Sequence, residues 1–420
     1  MPSFKKVMLV THRWLGLITG LVVLILSITG CLFVFHQEIS EWVRSDLYHV
    51  DKIPQHGQML PVAELEQKAA EALGIERMPY GITSYKDPSR NWSAMNYEAN
   101  DEFAWTYFGS MDDYRTAYIN PYTGEVEGIQ NEKTDFFQIV KGIHWSLLLA
   151  TPIGQPIIVW STLIFIVLLI TGMVLWWPKK WNKAGRQRSF KIKWGGTWRR
   201  VNYDLHNVLG FYFLTLTLII AFTGLYWYFP SAKKAMYFLG TGEFKLPPDE
   251  HKEYVSAAAP EDGVESPMQV AYRKAWNQNP EANRISFIAP ADSQATITTT
   301  VYPDGQTYYE HFHEAYDQYT GEFIAAEDYE SKNAGEKLLA MNYDIHVGAI
   351  GGIPGKIIAF IASLICGSLP VTGFIIWWDR KKRQWAREKR ERERKSKQSI
   401  PEPKIAEPDY ETRESEVVEG

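Results

Sequence analysis

The sequence has only two cysteines, Cys31 and Cys366, and both lie inside apolar runs. This scarcity excludes a disulfide framework, a C-x-x-C redox motif and a C-x-x-C-H site for covalent haem. No G-x-G-x-x-G follows a predicted strand, so no dinucleotide site is indicated. The net charge of -5 gives no sign of a nucleic-acid partner, and we expect none. Any redox chemistry must therefore use a bound, non-covalent cofactor.

Charge is also missing from four windows of 21 or 22 residues. Roughly 20 apolar residues at 1.5 Å rise cross a hydrocarbon core, so each window predicts a transmembrane helix. The first window is too long for a signal-peptide core and no small-x-small cleavage site follows it, which favours a retained anchor. The windows are Leu15–Phe35, Pro156–Trp177, Val208–Phe229 and Ile357–Trp378.

Basic residues beside these windows predict the orientation. The stretch Pro178–Arg200 carries nine Lys or Arg and no acidic residue, and the tail after Trp378 opens with four basic residues. Lys5 and Lys6 precede the first window. We therefore expect both termini in the cytoplasm of a bacterium, the spans in its inner membrane, and two extracytoplasmic segments, each long enough for a small domain.

The two outer segments repeat each other. Each has an amphipathic helix with proline at its first turn, opened by Pro61 in one and Pro267 in the other. Each later has a glycine-containing turn, Asn120-Pro-Tyr-Thr-Gly-Glu125 and Asp317-Gln-Tyr-Thr-Gly-Glu322. The expected fold is an α-helical membrane protein with four transmembrane helices in two tandem repeats, plus two α+β extracytoplasmic domains.

The expected boundaries follow from these windows and segments. Residues 1–36 form the N-terminal end and first span, 37–135 the first outer domain, 136–177 a histidine segment and second span, 178–200 the basic loop, 201–229 the third span, 230–342 the second outer domain, 343–378 a histidine segment and fourth span, and 379–420 a basic and then acidic tail.

A histidine accompanies every span at a duplicated position. His12 lies 18 residues before Gly30, and His206 lies 18 residues before Gly224. His144 and Gly172 are 28 residues apart, answered by His346 and Gly373 at 27. The period near 200 residues predicts two structural repeats with the functional centre between them.

A single histidine at the edge of a span is often only an interfacial residue, but four at repeated positions favour a role. The predicted orientation places His12 with His206 near the cytoplasmic face and His144 with His346 near the outer face. Facing neutral imidazoles suit axial ligation of haem iron, so we expect two non-covalent b-type haems. Zinc is disfavoured because no third Cys, Asp or Glu ligand accompanies either pair.

Glycines on the spans fit this hypothesis because they lack side chains that would block a flat macrocycle, although they also allow close helix packing. Three further histidines have weaker patterns: His36 is expected at the interface, and His311 and His313 on one side of a strand. Trp145, Trp227 and Tyr343 line an exit path or belong to the interfacial belt. The glycines are Gly16, Gly30, Gly172, Gly210, Gly224 and Gly373.

The phrases H-R-W-L-G-L with S-I-T-G, K-G-I-H-W-S-L-L-L, Y-D-L-H-N-V-L-G-F and Y-D-I-H-V-G with V-T-G-F-I-I-W-W resemble the PepSY-associated transmembrane family over about residues 5–385. N-P-Y-T-G-E resembles the closing turn of a PepSY domain. The resemblance implies PepSY-like outer domains and ferric-siderophore reduction at the outer side by haems between the spans. It also implies that the haem ligands are His12, His144, His206 and His346.

Some relatives carry a flavin and nicotinamide module at the C-terminus, whereas this chain ends in the basic stretch Arg380–Lys397 and an acidic tail. Electrons are therefore expected from elsewhere, either a cytoplasmic reductase or a membrane quinol. The basic stretch itself attracts anionic membrane lipid or docks an acidic reductase.

Two other functions stay open. In the first, the outer domains are binding or inhibitory modules on a membrane scaffold, as PepSY domains accompany peptidases. In the second, the chain is a transporter for iron or a small metabolite. A transporter would be expected to have broken helices, and Pro370 is the candidate break.

Overall fold

The computed structural model describes residues 4–54, 57–247, 254–257, 266–303, 305, 307–327 and 329–398. The first half of the chain runs from a long apolar helix through four strands to a second long apolar helix. Its elements are α1 (Phe4–Phe33), α2 (His36–Val43), α3 (Ser45–Tyr48), α4 (Val62–Leu73), β1 (Gly81–Tyr85), β2 (Trp92–Ala99), β3 (Met111–Ile119), β4 (Val126–Asn131), α5 (Phe136–Ser146) and α6 (Thr151–Trp176).

The second half repeats this order after a short basic helix. Its elements are α7 (Lys183–Phe190), α8 (Trp198–Asp204), α9 (Gly210–Tyr212), α10 (Leu214–Leu225), α11 (Pro230–Thr241), α12 (Pro267–Gln278), β5 (Arg284–Ile288), β6 (Ile297–Tyr302), β7 (Phe312–Tyr316), β8 (Phe323–Ala326), α13 (Ala334–Ala340), α14 (Asn342–Val347) and α15 (Gly352–Gln398), with a π-helical turn at Leu205–Leu209.

Three helices in the described part of the chain are long and apolar enough to cross a membrane: Phe4–Phe33, Thr151–Trp176 and Ala349–Lys395. The third predicted span is not one straight helix. Its two parts, Trp198–Tyr212 and Leu214–Leu225, meet at a bend of 66° and make a fourth span only if they are counted together. The protein is membrane-associated, with three such spans, or four with the bent pair.

The candidate break at Pro370 is wrong, because α15 continues through this residue. Proline removes one helical hydrogen bond, yet a long helix tolerates that loss where neighbouring side chains support it. Here the ring of Pro370 faces Gly20 of α1, where a Cβ would lie 3.5 Å from the Cβ of Pro370. The break that does occur lies at Phe213, just after the π-helical turn that contains His206.

All eight strands form one antiparallel sheet in the order β4-β3-β2-β1-β5-β6-β7-β8. The order is symmetric about the contact between β1 and β5, where the side chains of Thr83 and Ser286 hydrogen bond at 2.8 Å. The sequence predicts two outer segments with similar elements but not this joining of their strands. Each segment contributes four strands to a common sheet.

Both segments also share one apolar core. Helices α4 and α12 contact each other, and the backbone N–H of Val62 donates to the side chain of Gln269 at 2.7 Å. Leu65, Ile82, Ile285 and Phe287 lie in the same buried cluster. Burial of these apolar side chains from both halves, at roughly 1.5–3 kcal/mol each, stabilises the halves against each other.

The repeated turns and helix ends are confirmed. The side chain of Asn120 accepts the N–H of Tyr122 at 3.0 Å, and that of Asp317 accepts the N–H of Tyr319 at 2.9 Å. Gly124 and Gly321 follow with φ of 70° and 69°, a left-handed conformation that glycine adopts without strain. Helix α4 ends before Gly74, also with positive φ, as its sequence predicts.

The chain divides into two compact units, one ending at Gly373 and one beginning at Phe374 within the residues of α15. The second unit has its own cation–π contacts. Lys381 lies 5.5 Å from the ring centroid of Trp385, and Lys382 lies 5.4 Å from that of Trp378.

Candidate functional site

Each of the four predicted histidines lies against a threonine-glycine dipeptide of a neighbouring helix. The threonine hydroxyl oxygen is within hydrogen-bond distance of Nδ1, and the glycine leaves room for the edge of the ring at Cε1. The pairs are His12 with Thr171 at 2.9 Å, His144 with Thr29 at 2.9 Å, His206 with Thr372 at 2.9 Å and His346 with Thr223 at 3.0 Å.

This arrangement fixes the tautomer of every ring. Each threonine donates its only hydroxyl proton to a carbonyl one turn earlier in its own helix, as Thr171 does to Val167 at 2.9 Å and Thr223 to Ile219 at 2.8 Å. Thr29 and Thr372 do the same. The threonine oxygen must then accept the proton on Nδ1, which leaves Nε2 unprotonated. An imidazole held in this way presents Nε2 as a metal ligand.

Four of the six glycines noted in the sequence seat histidine rings. A Cβ at Gly30, Gly172, Gly224 or Gly373 would lie 3.2–3.6 Å from the Cε1 atom of its histidine. Gly16 and Gly210 instead face leucines, Leu168 and Leu369. At these four positions the structure shows that the glycine lets a histidine ring approach a helix backbone closely.

The histidines form two pairs. His12 and His206 have ring centroids 6.3 Å apart with ring planes at 84°. We call them the loop-side pair because residues 177–197 precede the helix that leads to His206, and Lys5, on the helix of His12, donates to the carbonyl of Trp177 at 3.0 Å. His144 and His346 have centroids 6.2 Å apart with planes at 71°, and we call them the sheet-side pair because α5 and α14 follow the strands. The pairing predicted from the sequence is thus present in the structure.

The separation of the rings suits a metal ion held between them. Two imidazole nitrogens, each about 2.0 Å from an ion, place the ring centroids roughly 6 Å apart. In the described part of the chain no group of three or more His, Cys, Asp or Glu side chains could hold a metal. Each pair supplies two ligands only, which fits an ion whose other ligands come from a macrocycle and not a structural zinc ion.

A cavity of about 1270 Å³ adjoins the sheet-side pair. This exceeds the roughly 300–1,000 Å³ of typical small-molecule sites. The part within the helices is lined by apolar and small residues, among them Val23, Phe165 and Ala221. The part nearer the sheet is lined by polar and aromatic residues, including Arg44, Arg90 and Arg284.

Most charges around this cavity are matched by an opposite charge. Burying an ion is unfavourable unless it is paired and hydrogen bonded, so these pairs hold the polar wall in a defined geometry. Lys356 is the most buried of the cations, with 5% of the residue exposed. The pairs are Arg44 with Asp135, Arg90 with Glu41 at 3.0 Å, and Lys356 with Glu38 at 2.6 Å.

Two buried Asn-Asp pairs, absent from the predictions above, lie beside the second-half histidines. Asn202 and Asp204 precede His206 by four and two residues and are 2% and 0% exposed. Asp204 accepts the backbone N–H of Lys193 at 3.2 Å and Nε of Arg200 at 2.8 Å. Asn202 donates to the backbone carbonyl of Thr372, whose hydroxyl bonds His206. Asn202 and His206 thus both bond Thr372 of α15, which holds His206 against that helix.

The sheet-side counterpart repeats the pattern. Asn342 and Asp344 precede His346 by the same intervals and are 1% and 0% exposed. Both carboxylate oxygens of Asp344 lie 3.2 Å from the backbone nitrogen of Tyr308, which donates to them. Burial raises the pKa of Asp344. The repeated phrase Asn-Tyr-Asp-x-His was the signal that could have revealed all four residues.

The three other histidines noted in the sequence lie outside the pairs. His36 stacks on Phe33 with centroids 4.1 Å apart and lines the cavity. His311 and His313 are neighbours at 5.3 Å, but Nδ1 of each bonds a different group: the carbonyl of Tyr308 and the hydroxyl of Thr300. In the described residues they form no larger ligand cluster.

The three aromatic residues noted beside the outer pair all line the cavity. Trp227 lies 6.4 Å from Trp145 and 5.4 Å from the ring of His346. Tyr343 lies 5.2 Å from Tyr308 on the sheet side. All three therefore belong to the same cavity lining as His144 and His346.

Fold and site together define a membrane protein with two pairs of facing histidines and an eight-stranded antiparallel sheet. One of the two pairs, the sheet-side pair, adjoins the sheet. The sequence profile of the PepSY-associated TM region matches residues 9–380, and the chain belongs to this family. No curated protein matches the chain.

Proposed function

We propose that this protein is a haem-containing electron-transfer protein of the bacterial inner membrane that reduces a ferric siderophore on its outer side. The observation that carries the proposal is the pair of facing imidazoles, repeated at two places, with Nδ1 engaged and Nε2 free in all four rings. A repeated geometry of this kind has no role in simple helix packing, which needs only small residues.

In this proposal His12 with His206, and His144 with His346, would hold two non-covalent b-type haems and supply imidazole ligands to their iron. When bound, haem supplies an iron centre that exchanges one electron at a time, at a potential set by its ligands and burial. The protein's own contribution is to hold each imidazole through a threonine and a close glycine, with the centroid of the partner ring 6.2–6.3 Å away. The apolar helix walls keep water from the sheet-side pair.

The orientation belongs to the same proposal. Four spans, with the bent pair as the third, place both termini in the cytoplasm and the PepSY-like sheet domains outside. The nine basic residues of Pro178–Arg200 and the basic tail support this orientation through the excess of Lys and Arg in cytoplasmic loops. The sheet-side pair is then the one next to the outer substrate, and anionic lipid faces the basic residues.

The electron donor in this proposal is a cytoplasmic reductase or a membrane quinol that reaches the loop-side pair. Trp176 and Phe211 stack there at 3.8 Å between ring centroids. Phe190 lies against both rings, at 5.1 and 5.2 Å. This cluster packs α6, α7 and α9 together.

The optical spectrum of the purified protein, oxidised and then reduced, tests the proposal. We expect the absorption bands of a bis-imidazole haem and two haems per chain by quantification. In His206→Ala the loop-side haem should be lost almost completely while the other remains, because a non-covalent haem in this bundle depends on both axial ligands. His313→Ala is the matched control and should retain two haems. A colourless protein, or an unchanged haem content in His206→Ala, contradicts the assignment.

A transport function is the second candidate, and the bend of 66° at Phe213 favours it, because broken helices often line substrate sites in transporters. The same spectrum separates the two. Uptake of iron or a metabolite into vesicles by a haem-free protein supports transport, whereas haem bands with electron transfer and no uptake support the reductase.

A further inference from the structure

Arg284, the first residue of β5, lines the cavity beside the sheet-side pair. Its guanidinium lies 4.0 Å from the ring centroid of Tyr302 and 5.7 Å from that of Tyr308. A guanidinium stacked on aromatic rings keeps its planar set of N–H donors available to a third partner. The two tyrosines therefore position this cation without neutralising it.

Arg284 differs from the other arginines of the cavity in its lack of a carboxylate. Arg44 is paired with Asp135 and Arg90 with Glu41. Among the described residues, no carboxylate forms an ion pair with Arg284. The cavity wall thus presents one guanidinium whose charge the described carboxylates leave unmatched.

The carboxylates that remain near the cavity do not offset this charge. Glu132 is buried and accepts hydrogen bonds from Thr116 and Gln130, each at 3.0 Å. Burial raises the pKa of Glu132. Asp87 accepts the backbone N–H and the hydroxyl of Ser89 at 2.9 and 2.7 Å. Each of these groups already has other donors.

Tyr308 links Arg284 to the helix of the sheet-side ligand. Its ring lies 5.2 Å from Tyr343, three residues before His346, and its backbone N–H donates to Asp344. Gln37 donates to its hydroxyl. A ligand bound at Arg284 would therefore lie one tyrosine layer from the helix that carries His346.

We propose that Arg284 makes the cavity a site for ferric chelates of net negative charge, with the guanidinium donating to the anionic oxygens of a catecholate or carboxylate. This inference rests on the proposed reductase function and names its substrate class. Fork-shaped pairing of Arg with such oxygens gives both charge and geometric selection. Neutral chelates, such as ferric tris-hydroxamates, lack this contact and bind more weakly.

The test uses gallium(III) complexes, which have the charge of the ferric complexes but accept no electron. The full-length protein in detergent is titrated with a trianionic gallium tris-catecholate and with a neutral gallium tris-hydroxamate, and binding is followed by calorimetry. The variants are Arg284→Gln, which removes the charge, and Arg284→Lys, which keeps the charge but lacks the paired N–H donors of the guanidinium. Arg115→Gln is the control, since Arg115 is paired with Asp113 and does not line the cavity.

We expect the wild type to bind the anionic complex at least about tenfold more tightly than the neutral one, and Arg284→Gln to lose that preference. Arg284→Lys should fall between them, and Arg115→Gln should match the wild type. Equal affinity of the wild type for both complexes, or an unchanged preference in both Arg284 variants of native thermal stability, overturns the inference. Because gallium is not reduced, absence of haem bands with binding intact would count against the reductase proposal alone.

Discussion

The first half of the chain and the second seat their histidines in the same way but anchor them differently. All four rings share the threonine and glycine contacts. Only His206 and His346 are preceded by a buried Asn-Asp pair. The threonine and glycine contacts of each ring, which we call the ring seat, are common to both halves. The carboxylates Asp204 and Asp344 instead hold second-half helices to nearby loops.

The turns after the sheet-side ligands differ too. After His144, Leu147 and Leu148 adopt φ of 57° and 59°, a region that non-glycine residues enter at a cost of roughly 1–2 kcal/mol each. After His346, the corresponding turn uses Gly348 with φ of 79°. The leucine turn is held by a hydrogen bond from the N–H of Tyr107 to the carbonyl of Leu148 at 2.9 Å. The first half thus relies on the sheet domain for a geometry that the second obtains from glycine.

The strongest test of the comparison removes one ligand from the sheet-side pair. In His346→Ala we expect reduction of an outer ferric chelate to be abolished while the loop-side centre is still reducible, because only this pair adjoins the sheet domain in the proposed orientation. His144→Ala should behave identically. Proteoliposomes with reductant inside and a ferric siderophore outside, followed by a coloured ferrous chelator, measure this. Reduction at the unmutated rate would mean that electrons leave by another route.

The second test concerns the seat itself. Thr29→Val and Thr223→Val remove the threonine hydroxyl beside Nδ1 of His144 and His346 without changing side-chain shape, while the backbone carbonyls of Leu26 and Ile220 remain. Loss of such a partner weakens metal binding about 10–100-fold, so haem titration should show a similar loss for both variants. Thr162→Val is the control, since Thr162 bonds only its own helix at Ile158 and also lines the cavity. An effect in only one half would break the equivalence of the two seats.

The third test addresses the anchors. Asp204→Asn should lower the free energy of unfolding by roughly 2 kcal/mol, because it removes a charged acceptor from Arg200 and from the N–H of Lys193. Asp344→Asn should have a smaller effect, since its bonds go to backbone donors only. Asp112→Asn, at an exposed position, is the control. Thermal unfolding in detergent ranks the three, and equal values for Asp204 and Asp112 would remove the anchoring role.

The fourth test concerns an effect that depends on pH and lies in the sheet domain. Alignment of Pro61 with Pro267 places the buried Glu66 of α4 where α12 has Tyr272. Burial raises the pKa of Glu66 from its ordinary value near 4.5 to about 7. The folded state then keeps a proton that the unfolded chain releases, so stability falls as pH rises from about 4.5 to about 7.

Glu66→Gln should remove this fall and raise the stability at pH 8 by roughly 1–3 kcal/mol, with no gain at pH 4. Thermal unfolding of both proteins at pH 4, 6 and 8 measures the difference. Glu71→Gln, at an exposed position of the same helix, is the control. A wild-type slope that persists in Glu66→Gln would assign the pH dependence to another group.

Local patterns in the sequence predicted the elements that depend on neighbours along the chain. Uncharged windows, proline before a helix and glycine in a turn are patterns within one stretch of chain. They predicted α1, α6, α4 and the turn at Asn120. The repeat in the sequence also predicted which histidines pair, because helix direction alone assigns each to one end of the bundle.

Only the tertiary structure decided how distant segments meet. The threonines that hold the histidines lie 115–166 residues away along the chain, and their hydroxyls are oriented by helix packing that no local pattern encodes. The joining of β1 to β5 and the bend at Phe213 have the same origin. The sequence by itself determined that four histidines are repeated at the ends of apolar helices; packing across those helices determined that Nδ1 of each ring bonds a threonine and that the rings lie in two pairs.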